Sequence, residues 1–165
     1  MTQIQPFNID HYKQLLIMLH DASHTINDAT TERHNAILKE IETYIREHPL
    51  TAKDFLAIKR LLTHPKRGVR STASIELLSN GYLDAWPTLI DAAKPTGDGP
   101  IRTMEDGRDD SASYFARLYL MLNQAKYDQM GLKPSFDEAQ DQWIAAGLMK
   151  RRMPKLPFLI PKPQP

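Results

Sequence analysis

His20 and His24 stand four residues apart, and Asp28 follows one helical turn further on. On a helix this spacing puts two imidazoles and a carboxylate on one face, a donor set that suits zinc or another divalent ion. His11 lies earlier on the same segment. The set lacks the glutamate and the third ligand of a zinc-protease pattern, and His20-Asp21 stands without further spaced ligands. A metal-dependent enzyme built on His20, His24 and Asp28 is one reading of these residues. Histidines that cap or pack a helix are the plainer one.

A second group is cationic. Residues 51–72 carry six Lys/Arg against one Asp/Glu, and five of the six are Lys59, Arg60, Lys66, Arg67 and Arg70. Clustered cations neutralise phosphates by counterion release, so this group suits nucleic acid. It suits an acidic protein surface equally. No aromatic residue is interleaved with these charges, which speaks against stacking on single strands. The bland alternative is a solvated turn that pairs with acidic segments of the same fold. Such segments exist: residues 1–50 carry seven acids against four bases, and residues 95–146 nine against five. A chain charged in blocks makes patches that steer partners.

Two further segments hold reactive or sticky side chains. Lys94 to Asp110 gathers Gly and acidic residues, including Glu105 and Asp106. Its carboxylates lack calcium-loop spacing, and its glycines lack a phosphate loop's Gly-Lys-Ser/Thr ending. It reads as a connecting or recognition loop. The chain ends in Lys150-Arg151-Arg152-Met153-Pro154-Lys155-Leu156-Pro157-Phe158-Leu159-Ile160-Pro161-Lys162-Pro163-Gln164-Pro165. Five prolines there forbid a helix and favour an extended path. Leu156, Phe158, Leu159 and Ile160 are too apolar for a plain linker. Phe158 is expected to dock, either along its own domain as a strap or on a partner as a linear motif.

The elements that must position these groups are helices. Phe55, Ile58, Leu61 and Leu62 recur at helical spacing, and Val69, Ala73 and Leu77 recur every four residues. Between the two stripes, Pro65 blocks a continuous helix and disfavours the helical conformation at His64. Thr51 can cap the first helix, and Asn80-Gly81 can end the second. Upstream, Asp10–Asn27 and Thr31–His48 make a helix pair, with Thr30 or Thr31 as the cap of the second. Downstream, Trp86–Ala93 and Ser113–Leu120 make another pair, and Ser135-Phe136-Asp137-Glu138 looks like the start of a last helix.

The run Leu61-Leu62-Thr63-His64-Pro65, followed by Val69-Arg70-Ser71-Thr72-Ala73 and Leu77, resembles a HEAT repeat. The resemblance covers about one unit, residues 52–80. It implies right-handed stacking of helical hairpins that expose a binding surface. His64 stands where the family usually has Asp, which puts in doubt the Asp–Arg tie between adjacent units. In the downstream pair, Ala116-Arg117 would take the place of Val-Arg.

Composition narrows the rest. There are no cysteines, which excludes disulfides and thiolate metal sites. No apolar run approaches the ~18 residues of a membrane span, and the opening Met-Thr-Gln-Ile-Gln-Pro lacks a signal peptide's basic start and apolar core. The reading is an all-α, HEAT-like helical domain over residues 1–149 with five to seven helices, then an extended, basic, Pro-rich tail over 150–165. It is expected to be cytoplasmic, with no cofactor and no membrane contact. The expected function is non-catalytic recognition of a protein partner by a small adaptor or inhibitor; immunity proteins against bacterial toxins fit by size and class alone. Nucleic-acid binding through Lys59–Arg70 is the alternative.

Overall fold

A computed structural model describes residues 5–22, 28–96, 101–103, 107–109 and 111–155; for 28–31, 101–103, 107–109 and 111 it describes the backbone alone. The regular structure of the described residues is helical apart from one short hairpin. Its residues divide into two compact units, Met1–Ala92 and Ala93–Pro165.

The first unit begins with α1 (Ile9–Ala22) and α2 (Asp28–Glu47). Asn8 caps α1: its Oδ1 accepts from the Asp10 and His11 amides at 2.9 and 3.1 Å. The Tyr44 hydroxyl accepts from the Asn8 amide at 2.8 Å and so ties α2 to the start of α1. Helix α2 begins at Asp28, so Thr30 and Thr31 lie inside it and do not precede it as caps. Next comes α3 (Ala52–Lys59), closed by the expected Thr51 cap in a reciprocal box with Asp54 and extended by a tighter turn over Arg60–Thr63. Helix α4 (Arg67–Ser79) follows the His64-Pro65-Lys66 turn. It ends as the sequence suggests. Gly81 has φ of 87°, and the amides of Tyr82 and Gly81 reach back to the carbonyls of Leu77 and Leu78. That is a Schellman ending, which a left-handed glycine permits without steric cost. Helix α5 (Trp86–Ala93) reaches the boundary of the unit.

Helix α1 packs on α2, α3 and α4, and α3 packs on α4. The α1 stripe Tyr12, Leu15, Leu16 and Leu19 meets Ile37 and Ile41 of α2, Ile58 and Leu61, and the α4 stripe Val69, Ala73 and Leu77; all are buried. Of the stripe expected before the turn, Ile58 and Leu61 are buried while Phe55 and Leu62 are half-buried; Val69, Ala73 and Leu77 after it are all buried.

The second unit holds a two-stranded antiparallel hairpin, β1 (Ile101–Thr103) with β2 (Gly107–Asp109), inside the segment read as a loop. Three-residue strands are too short to show alternation in a sequence. Helices α6 (Ser111–Leu122), α7 (Gln124–Gln129) and α8 (Phe136–Ala145) follow, which makes eight helices among the described residues. The α6–α7 boundary is a kink at Asn123, whose side-chain amide donates to the Tyr119 carbonyl at 2.8 Å. Such a kink leaves the apolar period almost unbroken, so α7 is not visible in the sequence. Ser135 caps α8 by accepting from the Glu138 amide at 3.1 Å. No described helix is long and apolar enough to cross a membrane.

Ala73 is fully buried where α4 faces its neighbours. Ala73→Leu is expected to overpack that contact and to cost about 1–3 kcal/mol. Chemical denaturation of the two proteins checks this; equal midpoints would contradict it.

Candidate functional site

Helix α4 opens without help from its own N-cap, because the Lys66 side chain makes no capping bond. The first amides of a helix have no intrahelical acceptor. Two histidines supply acceptors. The Lys66 amide donates to His64 Nδ1 at 3.0 Å, and the Gly68 amide donates to His20 Nδ1, 48 residues away in sequence, at 3.1 Å. Each bond uses a ring lone pair, so each fixes the tautomer with the proton on Nε2. Burial, and then the charges of Lys13, Lys66 and Arg70, hold His64 below the ordinary imidazole value, which keeps that lone pair available.

The close approach of α1 depends on Gly68. A Cβ at this position would stand 2.5 Å from His20 Nδ1 and 2.8 Å from His20 Cβ. The second contact involves an atom that no side-chain rotation moves. Sequence alone reads Gly68 as a loosened turn; its use is to admit His20.

Most of the cationic group makes its contacts within the unit, at the surface around the same helix start. Arg70 Nη1 donates to the carbonyls of His64 and Pro65 at 2.7 and 3.0 Å, so it clamps the turn itself. Arg67 Nη1 donates to the carbonyls of Asp91 and Ala92 at 3.3 and 3.1 Å, at the C-terminal end of α5, where a helix leaves carbonyls unsatisfied and favours positive charge. Lys66 pairs with Asp21 at 2.8 Å. Lys59 pairs with Asp84 at 3.0 Å and lies 4.9 Å from the centre of the Tyr82 ring. The guanidinium of Arg60 is exposed and makes no ion pair or hydrogen bond among the described residues.

Of the His20, His24 and Asp28 trio, the structure describes the side chain of His20 alone. His24 lies outside the described residues, and Asp28 contributes a backbone position at the first residue of α2. Among the described residues no group of three or more His, Asp or Glu is placed to hold a metal ion. Phe158 also lies outside the described residues.

One surface feature escaped the sequence reading. Phe55 stacks on Tyr82 with ring centres 4.8 Å apart. Their chain neighbours, Leu56 and Leu83, stay in solvent at 60% and 41% exposure. Leu56 shares its face of α3 with exposed Lys53 and Arg60, three residues before and four after. The signal in the sequence is the pair Phe55-Leu56, since adjacent helical residues cannot both face one core. The result is two exposed leucines next in sequence to the stacked rings, Leu56 with cations on its own side of the helix.

In the second unit, Arg117 is fully buried on α6. Its Nη1 donates to the Ala93 carbonyl at 3.0 Å and to Ser113 Oγ at 2.7 Å. Ser113 Oγ donates in turn to the Lys94 carbonyl at 2.7 Å. Like Arg67 and Arg70, this arginine donates to backbone carbonyl oxygen, here with a serine hydroxyl beside it.

Gly68→Ala is expected to cost about 1–3 kcal/mol through the His20 clash. Replacing His20 with Gly in the same chain removes both the ring and the Cβ that the new methyl would meet, so that the double variant is less destabilised than the sum of the single ones. Additive losses in a double-mutant cycle read by urea denaturation would contradict the close approach. Comparisons of the chain with protein-family models, with curated proteins and with solved structures found no match.

Proposed function

We propose that this chain is a non-catalytic recognition protein, an adaptor, inhibitor or immunity-type protein that binds a protein partner through its first unit. The reading rests on two large apolar side chains left in solvent, Leu56 and Leu83, whose chain neighbours Phe55 and Tyr82 stack on each other, with exposed Lys53 and Arg60 near Leu56 in the chain. An apolar centre with a charged rim is the usual make-up of a protein contact. With it we infer that α3 and α4 form one HEAT-like unit, in which Arg70 holds the turn carbonyls and His64 replaces the family's Asp as an acceptor for the Lys66 amide. The partner that fits is an acidic protein surface with apolar side chains to meet Leu56 and Leu83. Lys59, Lys66, Arg67 and Arg70 then serve mainly to shape the edge, and Arg60 is the cation most available to a partner.

The nucleic-acid reading draws on the same charges. It is the weaker one, because four of the five cations already have partners within the unit and the exposed Leu56 and Leu83 are apolar.

Leu56→Asp combined with Arg60→Glu is expected to abolish capture of a stoichiometric protein partner from a lysate by the immobilised full chain. The melting temperature should stay nearly unchanged, since exposed substitutions away from caps and cores cost within about 0.5 kcal/mol. Retention of the partner by the variant would contradict the assignment of this surface. Nuclease-sensitive retention that falls steeply with salt would move the function to nucleic acid.

A further inference from the structure

The basic tail begins with a bound segment. After Gly147, whose φ of 77° turns the chain, residues 152–155 run back along α8 in the opposite direction. Arg152 makes a two-pronged contact with Asp141, Nε to Oδ1 at 2.8 Å and Nη2 to Oδ2 at 2.6 Å. Its Nη1 also stands 3.6 Å from Asp137. The Met153 amide donates to Gln140 Oε1 at 2.8 Å, and the Met153 side chain is buried. Lys155 Nζ meets Asp137 at 2.9 Å. Arg152 holds the Asp141 carboxyl below the ordinary carboxylate value. Burial raises Asp137, but Lys155, Gln124 and Arg152 outweigh it and hold that carboxyl low as well.

These contacts have the parts of a peptide-recognition site. Gln140 is fully buried, and its oxygen reads a backbone N–H, which any residue but proline supplies. Its amide nitrogen is buried with no hydrogen-bond partner among the described residues even with residues 152–155 in place, so recognition of the segment rests on the oxygen. Asp141 reads a guanidinium in the two-pronged geometry that Lys cannot reproduce. A buried position takes the methionine, and Asp137 takes a second cation two residues on.

We propose that the face of α8 formed by Asp137, Gln140 and Asp141 is a binding site for an extended Arg–apolar–Pro–Lys segment, filled in cis by residues 152–155 and open to the same segment of a second copy of this chain. Each molecule therefore carries both halves of a homotypic contact. A segment tethered this close competes at an effective concentration of about millimolar, so the cis arrangement prevails in the wild-type chain and exchange appears when it is broken.

The test uses two full-length variants. Arg152→Glu/Met153→Asp vacates the site and leaves α8 intact. Asp141→Arg spoils the site and leaves the segment intact. Each is expected to be monomeric alone in size-exclusion light scattering, and a mixture is expected to form a 1:1 complex. No complex in the mixture, with both variants retaining helical circular dichroism, overturns the proposal. If either variant unfolds, Arg152→Gln replaces it with a labelled peptide of residues 150–158 as the probe. That variant should bind the peptide at least tenfold more tightly than the wild type does, and should not bind the peptide carrying Glu at position 152. Equal binding of both peptides, or no binding of either, overturns it.

Discussion

The start of α4 carries amide hydrogens that its own N-cap does not satisfy, and the first unit is arranged around that need. His64 answers it from the preceding turn and His20 from α1. The second bond requires α1 to come within contact distance of the α4 backbone, and only a residue without Cβ allows that distance. With α1 packed on α4, Leu15, Leu16 and Leu19 of the one and Val69, Ala73 and Leu77 of the other are all buried. Arg70 stiffens the same turn, and Arg67 carries the arrangement to the end of α5. One hydrogen-bonding deficit at a helix end thus links α1, α4 and α5.

This has a consequence for function. Histidines and arginines that look reactive in a sequence are here the acceptors and donors that close helix ends. A neutral imidazole whose Nδ1 is engaged has given up one of its two ring nitrogens. An arginine bound to two carbonyls is held at the surface of the fold rather than offered to a partner. Among the described residues, the surfaces proposed for recognition are the one around Leu56 in the first unit and the segment-bearing face of α8 in the second.

The α3–α4 hairpin was legible because its signals are local. The Leu61–Leu77 periodicity, the Thr51 cap and the Asn80-Gly81 ending each lie within one or two turns of the residues they govern. The His20–Gly68 contact joins residues 48 positions apart, and nothing in either neighbourhood announces it. Gly68 looks like a turn residue from its surroundings, and its steric role exists only once α1 is in place. Arg67 reads as surface charge for the same reason, since the carbonyls it meets belong to residues 91 and 92. The short hairpin at 101–109 and the kink at Asn123 are too brief to leave a periodic trace. In the tail, the contacts of Arg152, Met153 and Lys155 are with side chains of α8 that lie eleven to eighteen residues earlier, so no local signal announces them; Phe158 and its apolar neighbours lie outside the described residues.

The arrangement at α4 is tested most directly by the tautomers of His20 and His64. Long-range proton–nitrogen correlation by NMR distinguishes a ring protonated at Nδ1 from one protonated at Nε2. Both rings are expected to carry their proton on Nε2 at neutral pH, with Nδ1 as the unprotonated acceptor and the Gly68 amide strongly protected from exchange. A proton on Nδ1 of His20, or a freely exchanging Gly68 amide, would contradict the account.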